Sequence, residues 1–226
     1  MTADQLKSVR WIFFDWGGTL KDEFAIYRGI TNAAIQHLGR SGSSVEWQEL
    51  YDRLIEIERQ ETRIGLEKAL QEFGVSPEWI ASSLEATAIA ATSQATYEGA
   101  EQVLEKLGQD FGLGVISNHR SGLDAVLERE GVRDYFIVVV GSGDFGVTKP
   151  DPSIFLGALE QADCEPHQAA MVGDRLSKDI EGANAAGLVS VRVRQGIFAD
   201  EEPATPLQTP DFEVRSFDQL LELFHV

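Results

Sequence analysis

The chain has 226 residues, 43% of them hydrophobic, which is enough to bury one large core, alone or with a small inserted domain. Its 19 basic and 37 acidic residues give a formal net charge of −18, which argues against a nucleic-acid-binding or anionic-membrane-binding surface. An anionic ligand would therefore need a locally positive pocket.

Apolar runs of strand length recur along the chain, and most are followed by a segment with helical periodicity. They predict strands over residues 9–14, 111–116, 135–140, 169–172 and 189–193. Uninterrupted apolar runs are typical of a parallel sheet that is covered on both faces. The last run alternates apolar and polar residues, which predicts a strand with one more exposed face.

Amphipathic segments between these strands predict helices over 98–107, 122–130 and 152–161. The third has a clear start, because Asp151 can cap it and Pro152 suits the first helical turn. The alternation of strands and helices predicts an open α/β fold.

Residues 24 to about 93 interrupt this alternation. They contain helix-like segments without a convincing strand: 23–38, 47–73 and 77–92. The sequence therefore predicts an α/β core formed by residues 1–23 and 94–226, with an all-helical insertion over 24–93 after the first strand. Residues 200–210 are expected to form a polar, proline-rich surface loop.

The single cysteine, Cys164, leaves no internal disulfide framework and fits a reducing cytoplasm. The start of the chain lacks the long apolar run of a signal peptide, and no stretch approaches the length of a membrane span. We therefore expect a soluble cytoplasmic protein, with its oligomeric state left open.

Polar residues lie where the predicted strands end, and ligands of open parallel α/β sheets bind beyond these carboxyl ends. Asp15 follows the first predicted strand, and Ser117 and Asn118 follow the second. Asp174 lies just after the fourth predicted strand, residues 169–172. Lys149 lies in a glycine-rich stretch shortly before a helix. The pattern predicts that two carboxylates, a hydroxyl and a lysine meet at one edge of the sheet.

These residue types suit phosphoryl transfer. Asp15 and Asp174 offer the oxygen ligands that Mg²⁺ prefers, and the ion would screen the phosphate charge as a carboxylate approaches phosphorus. Lys149 would neutralise the nucleophile and the equatorial oxygens in the transition state. Ser117, with the neighbouring Asn118, would bind the phosphate.

Gly17 and Gly18 lie directly after the first strand, and glycines there let the backbone pass close to a phosphate. Gly18 is therefore a further candidate for substrate binding. Asp179, five residues after Asp174, could either bind a metal ion or orient Lys149.

Four segments resemble, in order and spacing, the sequential motifs of the haloacid dehalogenase superfamily. They are DWGGTLKD (15–22), ISN (116–118), TKPDPSIF (148–155) and GDRLSKDIEGANAAG (173–187). The resemblance implies a Rossmann-like parallel-sheet core with a helical cap inserted after the first motif. It also implies an Mg²⁺-dependent hydrolase, most simply a phosphatase of small phosphorylated metabolites.

The resemblance also assigns roles to the strand-end residues. Asp15 would be the phosphorylated nucleophile, Ser117 a phosphate ligand and Lys149 the charge stabiliser. The implied ligands of Mg²⁺ are Asp15, the Gly17 carbonyl, Asp174 and, in the inner or outer shell, Asp179.

Gly17 departs from the pattern of the phosphatase branch, which carries a second aspartate at this position as general acid and base. Such assistance contributes typically ~10²–10⁴-fold to the rate. Turnover of ordinary phosphate esters should therefore be slow unless another residue, such as His119, replaces the aspartate. The Gly17 carbonyl could still bind metal, so the departure concerns proton transfer alone.

Two other functions stay open, and a third is disfavoured. Phosphonoacetaldehyde hydrolases have a small residue at the position of Gly17, but they need a cap lysine for a Schiff base, and the insertion holds only Lys68. True haloacid dehalogenases carry an aromatic residue there and use no metal, so Gly17 and the GDRLSKD motif argue against them. A nearly inactive protein that binds a phosphorylated ligand or a partner is the second open alternative.

Overall fold

The computed structural model describes residues 5–22, 24–40, 42–60, 65–82 and 96–226. The chain forms two compact units, one made of Met1–Asp22 with Ala95–Val226, the other of Glu23–Gln94. The predicted division into an α/β core and a helical cap over residues 24–93 stays a prediction.

In the larger unit, the described residues form one all-parallel sheet of six strands in the order β3-β2-β1-β4-β5-β6. The strands are β1 Trp11–Phe14, β2 Gly112–Ser117, β3 Val138–Gly141, β4 Ala169–Gly173, β5 Val189–Val193 and β6 Phe212–Val214. The predicted α/β class with a Rossmann-like parallel sheet is confirmed. Phe14 lies opposite both Val115 and Val172, so the carboxyl ends of the three central strands are level.

Helices cover both faces of this sheet, which explains the uninterrupted apolar runs. They are α4 Ala100–Leu107, α5 Leu123–Arg129, α6 Ser142–Phe145, α7 Pro152–Ala162, α8 Glu181–Ala186 and α9 Phe217–Phe224. On β1, Ile12 and Phe14 pack into the core of one face, whereas Phe13 packs into the core of the other. Asp151 caps α7 as predicted, since its side chain accepts a hydrogen bond from the Ser153 amide.

The prediction of a more exposed face on β5 is wrong, because all five residues of the strand are buried. The polar side chains of Ser190 and Arg192 form internal hydrogen bonds, although Nε of Arg192 is buried without a partner among the described residues. Ser190 Oγ accepts a hydrogen bond from the amide of Asp211, and Arg192 donates to Phe198 O at 2.9 Å and to Glu213 at 3.2 Å. Strand β6, absent from the sequence prediction, and the loop before it supply these partners.

The described residues of the smaller unit form helices joined by short turns. It contains α1 Phe24–Arg40, α2 Trp47–Gln60, α3 Gly65–Glu72 and a further helical stretch over 77–82. Buried apolar residues, among them Ile30, Leu50 and Leu70, form its core. The predicted helix over 77–92 falls partly on residues 83–92, outside the described residues.

None of the helices in the described ranges combines the length and the apolar character needed to cross a membrane.

Candidate active site

Lys149 lies at the centre of the carboxyl edge of the sheet and is 2% exposed. Its Nζ donates hydrogen bonds to Asp15 Oδ1 at 2.6 Å, to Asp179 Oδ1 at 2.6 Å and to the carbonyl oxygen of Ile116 at 2.8 Å. An ammonium group has three N–H donors, and these three acceptors use all of them. The sequence prediction that Lys149 meets the carboxylates at this edge agrees with the geometry.

The side chain of Asn118 holds the backbone of Lys149. Its Oδ1 accepts from the Lys149 amide at 2.7 Å, and its Nδ2 donates to the Lys149 carbonyl at 3.0 Å. The loop after β2 is thereby tied to the segment that precedes α7. These bonds give Asn118 a second role, that of holding Lys149 in place. Its predicted contact with substrate stays a prediction.

Replacing Asn118 with alanine removes both bonds to Lys149. We expect kcat to fall roughly 10–10²-fold if Lys149 has its predicted catalytic role, because a small displacement of a catalytic group is costly. Stability should fall by about 1–3 kcal/mol. Asn184→Ala is the matched control, because Asn184 on α8 also donates to two carbonyls, those of Leu207 and Thr209. If both variants lower kcat equally in steady-state assays, the positioning role is wrong.

Asp179 lies in a π-helical turn, Leu176–Ile180, that follows β4. Its Oδ2 accepts a hydrogen bond from the Arg175 amide at 3.0 Å while Oδ1 contacts Lys149. A side chain at Gly173, the last residue of β4, would collide with the Cβ of Asp179. The glycine therefore lets the turn fold back onto the strand and places Asp179 beside Lys149.

Asp174 follows β4 and is 1% exposed. Its Oδ1 accepts a hydrogen bond from Thr19 Oγ1 at 3.0 Å, whereas its buried Oδ2 has no hydrogen-bond partner among the described residues. The backbone of Gly18 runs directly past this oxygen, with a φ of +82°, and a Cβ there would lie 2.5 Å from Oδ2. Gly18 is thus required both by its backbone conformation and by this close approach.

Gly18→Ala should displace Asp174 and weaken binding of a divalent cation by roughly 10–100-fold, in addition to the cost of a left-handed alanine. Gly131→Ala is the control, because Gly131 has a φ of +77° but open space around its missing Cβ. Calorimetric titration with Mg²⁺ and thermal melting separate the two effects. Equal cation affinity in the two variants would contradict this interpretation of Gly18.

Asp15, Asp174 and Asp179 form a buried carboxylate cluster in which one oxygen of each lies within 4.8 Å of the other two. Burial, followed by the charges of Asp179 and Asp15, raises the pKa of Asp174 well above its ordinary value. Burial also raises the pKa of Asp179, although Lys149 opposes the shift. Burial alone would lower the pKa of Lys149, but the charges of Asp15 and Asp179 outweigh it and raise that pKa.

The donor set of this cluster fits a hard divalent cation. When all three carboxylates are ionised, they exceed the one ammonium by two negative charges in a buried site, where unpaired charge is costly. A divalent cation would balance this excess, and the unpartnered Asp174 Oδ2 is a suitable ligand atom. The three aspartates could therefore hold a metal ion.

The other predicted site residues of the larger unit lie on the same edge. Ser117 is the last residue of β2 and is 5% exposed, and Gly17 lies in the turn after β1, where it pairs with Lys21. His119 is half-buried, and its Nδ1 lies 2.6 Å from the carbonyl oxygen of Arg120. Lys68, on α3 of the helical unit, is exposed, unlike a desolvated Schiff-base lysine. The chemical roles of these residues stay predictions.

Two contacts in the site were missing from the sequence prediction. Thr19 donates a hydrogen bond to Asp174. Because Thr19 lies within the DWGGTLKD motif, the motif could have pointed to it as a site residue. Gln195 donates from Nε2 to Gly18 O at 3.1 Å and to Thr19 O at 2.6 Å. It lies beyond β5, far from every recognised motif, so no sequence pattern pointed to it.

Residues 9–187 match the family model described as haloacid dehalogenase-like hydrolase, so the chain belongs to this family of hydrolases. The resemblance inferred from the four motifs is thereby confirmed.

Several curated relatives are phosphatases by name. The glyceraldehyde 3-phosphate phosphatase of Pyrococcus furiosus is 28% identical over 96% of this chain and 94% of its own length. Its counterpart from Methanopyrus kandleri is 45% identical, but the match covers only 43% of this chain and 42% of that enzyme. The phosphoserine phosphatase of Thermus thermophilus is 34% identical over 62% of this chain and 57% of its own length.

Solved structures share the fold over nearly the whole chain. The HAD hydrolase YfnB of Bacillus subtilis, determined with bound magnesium, superposes with a TM-score of 0.75 at 20% identity, covering 96% of this chain and 99% of that one. A 2-haloacid dehalogenase from Pseudomonas syringae gives a TM-score of 0.63 at 25% identity, covering 96% and 98%. Both likenesses support the fold.

Proposed function

We propose that this protein is an Mg²⁺-dependent phosphatase of small phosphorylated metabolites that works through an aspartyl phosphate on Asp15. One observation carries the proposal: the buried Lys149 is held between Asp15 and Asp179 in a cluster that also contains the unpartnered oxygen of Asp174. The relatives named as phosphatases of glyceraldehyde 3-phosphate and of phosphoserine support it.

Asp15 is the nucleophile in this proposal. Of the three clustered carboxylates it is the most exposed, at 6% against 1% for Asp174 and for Asp179, so a substrate can reach it. An Asp15 oxygen forms a bond to phosphorus while the ester P–O bond breaks, and the departing oxygen takes up a proton. Water then attacks phosphorus and breaks the acyl phosphate bond, which releases phosphate and regenerates Asp15.

The surrounding residues prepare this attack. Lys149 carries its charge in the resting site and orients Asp15 through the 2.6 Å hydrogen bond. Asp15, Asp174 and Asp179, with the carbonyl of Gly17, would hold Mg²⁺. When bound, the ion supplies charge neutralisation between the carboxylates and the phosphate. Ser117, the last residue of β2, would donate a hydrogen bond to a phosphate oxygen.

The decisive test is phosphate release from a panel of metabolite phosphates, with and without Mg²⁺. Glyceraldehyde 3-phosphate and phosphoserine belong in the panel, together with activated aryl phosphates. We expect Mg²⁺-dependent release from at least one natural ester. Chloride release from 2-chloropropionate and hydrolysis of phosphonoacetaldehyde serve as arms for the two rival reactions. Activity in either arm alone would overturn the proposal, and inactivity throughout would favour a ligand-binding protein.

Gly17→Asp should raise turnover of alkyl phosphates by about 10²-fold, because it restores a general acid for a poor leaving group. The φ of Gly17, unlike that of Gly18, is not in the left-handed region, so the backbone accepts a side chain. Aryl phosphates should gain less, since their leaving groups need no proton. Gly17→Asn is the matched control without an ionisable group. If kcat on alkyl esters does not rise, another residue already acts as the acid.

Cys164 is half-buried, and burial raises the pKa of its thiol to about 11, which makes it unreactive.

We propose a cytoplasmic location for the protein, to be checked by fractionation of cells that express it.

A further inference from the structure

Gln195 lies in the loop that follows β5, outside the four motifs and beyond the residues that match the family model. Its side-chain amide carries two N–H donors, which reach two consecutive carbonyls of the first-motif loop. The distances are 3.1 Å to Gly18 O and 2.6 Å to Thr19 O. The side chain therefore fixes the orientation of two neighbouring peptide groups.

Both of these residues touch Asp174. Thr19 Oγ1 donates to Asp174 Oδ1 at 3.0 Å, and Gly18 passes so close to the unpartnered Oδ2 that a Cβ added there would lie 2.5 Å from it. The position of this loop therefore sets the surroundings of both oxygens of Asp174. A shift of the loop would also move Gly17, whose carbonyl is a proposed metal ligand.

The loop that carries Gln195 is itself anchored to the sheet independently of the first motif. The backbone amide of Gln195 donates a hydrogen bond to Val193 O at 3.1 Å. Arg192 donates to Phe198 O at 2.9 Å, and Arg194 Nε donates to Ala199 O at 2.6 Å. These bonds give Gln195 a fixed base from which to hold the first-motif loop.

The same loop also meets the residue after Asp174. The guanidinium of Arg175 lies 4.1 Å from the ring centroid of Phe198, a distance typical of a cation–π contact. The segment after β5 therefore contacts both sides of the carboxylate cluster, the first-motif loop through Gln195 and the fourth-motif loop through Phe198.

We propose that Gln195 is a positioning residue that holds the Gly18–Thr19 peptide against Asp174 and thereby sets the affinity of the carboxylate cluster for a divalent cation. The inference rests on the proposed function in so far as the cation is Mg²⁺. Gln195 touches neither the cation nor the substrate, and it acts through Thr19 and Gly18. Partners one shell removed from a metal typically change its affinity by roughly 10–100-fold when they are lost.

The test compares Gln195→Met, which keeps the size of the side chain but has no donor, with Gln161→Met. Gln161 lies on the exposed face of α7 and is the matched control. Isothermal titration calorimetry with MgCl₂ and with MnCl₂, without substrate, measures cation affinity directly. We expect the Kd to rise about 10-fold or more in Gln195→Met and to stay unchanged in Gln161→Met.

Kinetics give a second readout that a purely structural role would not produce. The Mg²⁺ concentration for half-maximal activity should rise with the Kd, whereas kcat at saturating Mg²⁺ should change less than about threefold because no reacting group is lost. Gln195→Leu, which also removes both donors and adds no charge, should behave like Gln195→Met. Loss of the folded state in both variants, by circular dichroism, would show a structural role and overturn the proposal.

Different experimental results would overturn the positioning role of Gln195 and the proposed phosphatase function. If the wild-type protein binds Mg²⁺ and releases phosphate while Gln195→Met binds Mg²⁺ equally well, the positioning role is wrong and the phosphatase stands. If the wild-type protein binds no divalent cation in the titration, both are overturned.

Discussion

Asp15→Asn is expected to reduce phosphate release by roughly 10⁴-fold or more, because a carboxamide cannot attack phosphorus. The fold should persist, since the amide oxygen can still accept the hydrogen bond that Lys149 donates to Asp15. Intact-protein mass spectrometry after acid quench should find a phosphorylated wild-type enzyme and an unmodified variant. Steady-state kinetics on the preferred ester measures the loss.

Asp110→Asn is the control for this substitution. It makes the same change of charge at an exposed residue in the turn after α4. We expect its activity to equal that of the wild-type enzyme. If Asp15→Asn kept full activity, or if the phosphoryl group were found on another residue, the nucleophile assignment would be refuted.

Lys149→Met should have the largest combined effect on stability and activity. The substitution leaves Asp15 and Asp179 buried without their shared ammonium partner. Breaking a buried ion pair by removal of one partner costs about 3–5 kcal/mol, so the free energy of unfolding of the metal-free protein should fall by that amount. Turnover should fall by about 10²–10³-fold, since the stabilising charge beside the nucleophile is lost.

Urea denaturation measures the first effect and steady-state kinetics the second. Lys106→Met on α4 removes a lysine of the same length at a half-buried position and should change neither by much. Lys149→Arg should also be impaired, because a planar guanidinium does not match three acceptors placed around a compact ammonium. A Lys149→Met protein with wild-type stability would contradict the proposed coupling between the lysine and the two carboxylates.

The sheet could be predicted from sequence wherever strands are buried on both faces. Strands β1, β2 and β4 are continuous apolar runs, which are typical of a parallel sheet that is covered on both faces. The bounds of strand β5 were predicted correctly, but its full burial was not. The hydrogen-bond partners of Ser190 and Arg192 come from residues further along the chain. Strand β6 has only three residues, too few to carry a period.

The residues of the site could be predicted because strand ends converge, but their bonds could not. Asp15 and Asp174 follow neighbouring strands, so topology alone brings them together. The sequence left open whether Asp179 binds metal or orients Lys149, and it could not reveal the 2.6 Å hydrogen bond that Asp179 accepts from Lys149. Gln195 joins the site across 177 positions of sequence to Gly18, a contact that no local pattern encodes.

The most direct test of the account is a crystal structure of the protein with Mg²⁺ and beryllium fluoride, which mimics a phosphoryl group. The account predicts beryllium bonded to an oxygen of Asp15, and Mg²⁺ at about 2.0–2.1 Å from oxygens of Asp15 and Asp174. Beryllium fluoride bonded elsewhere, or an ion held away from Asp174, would contradict it.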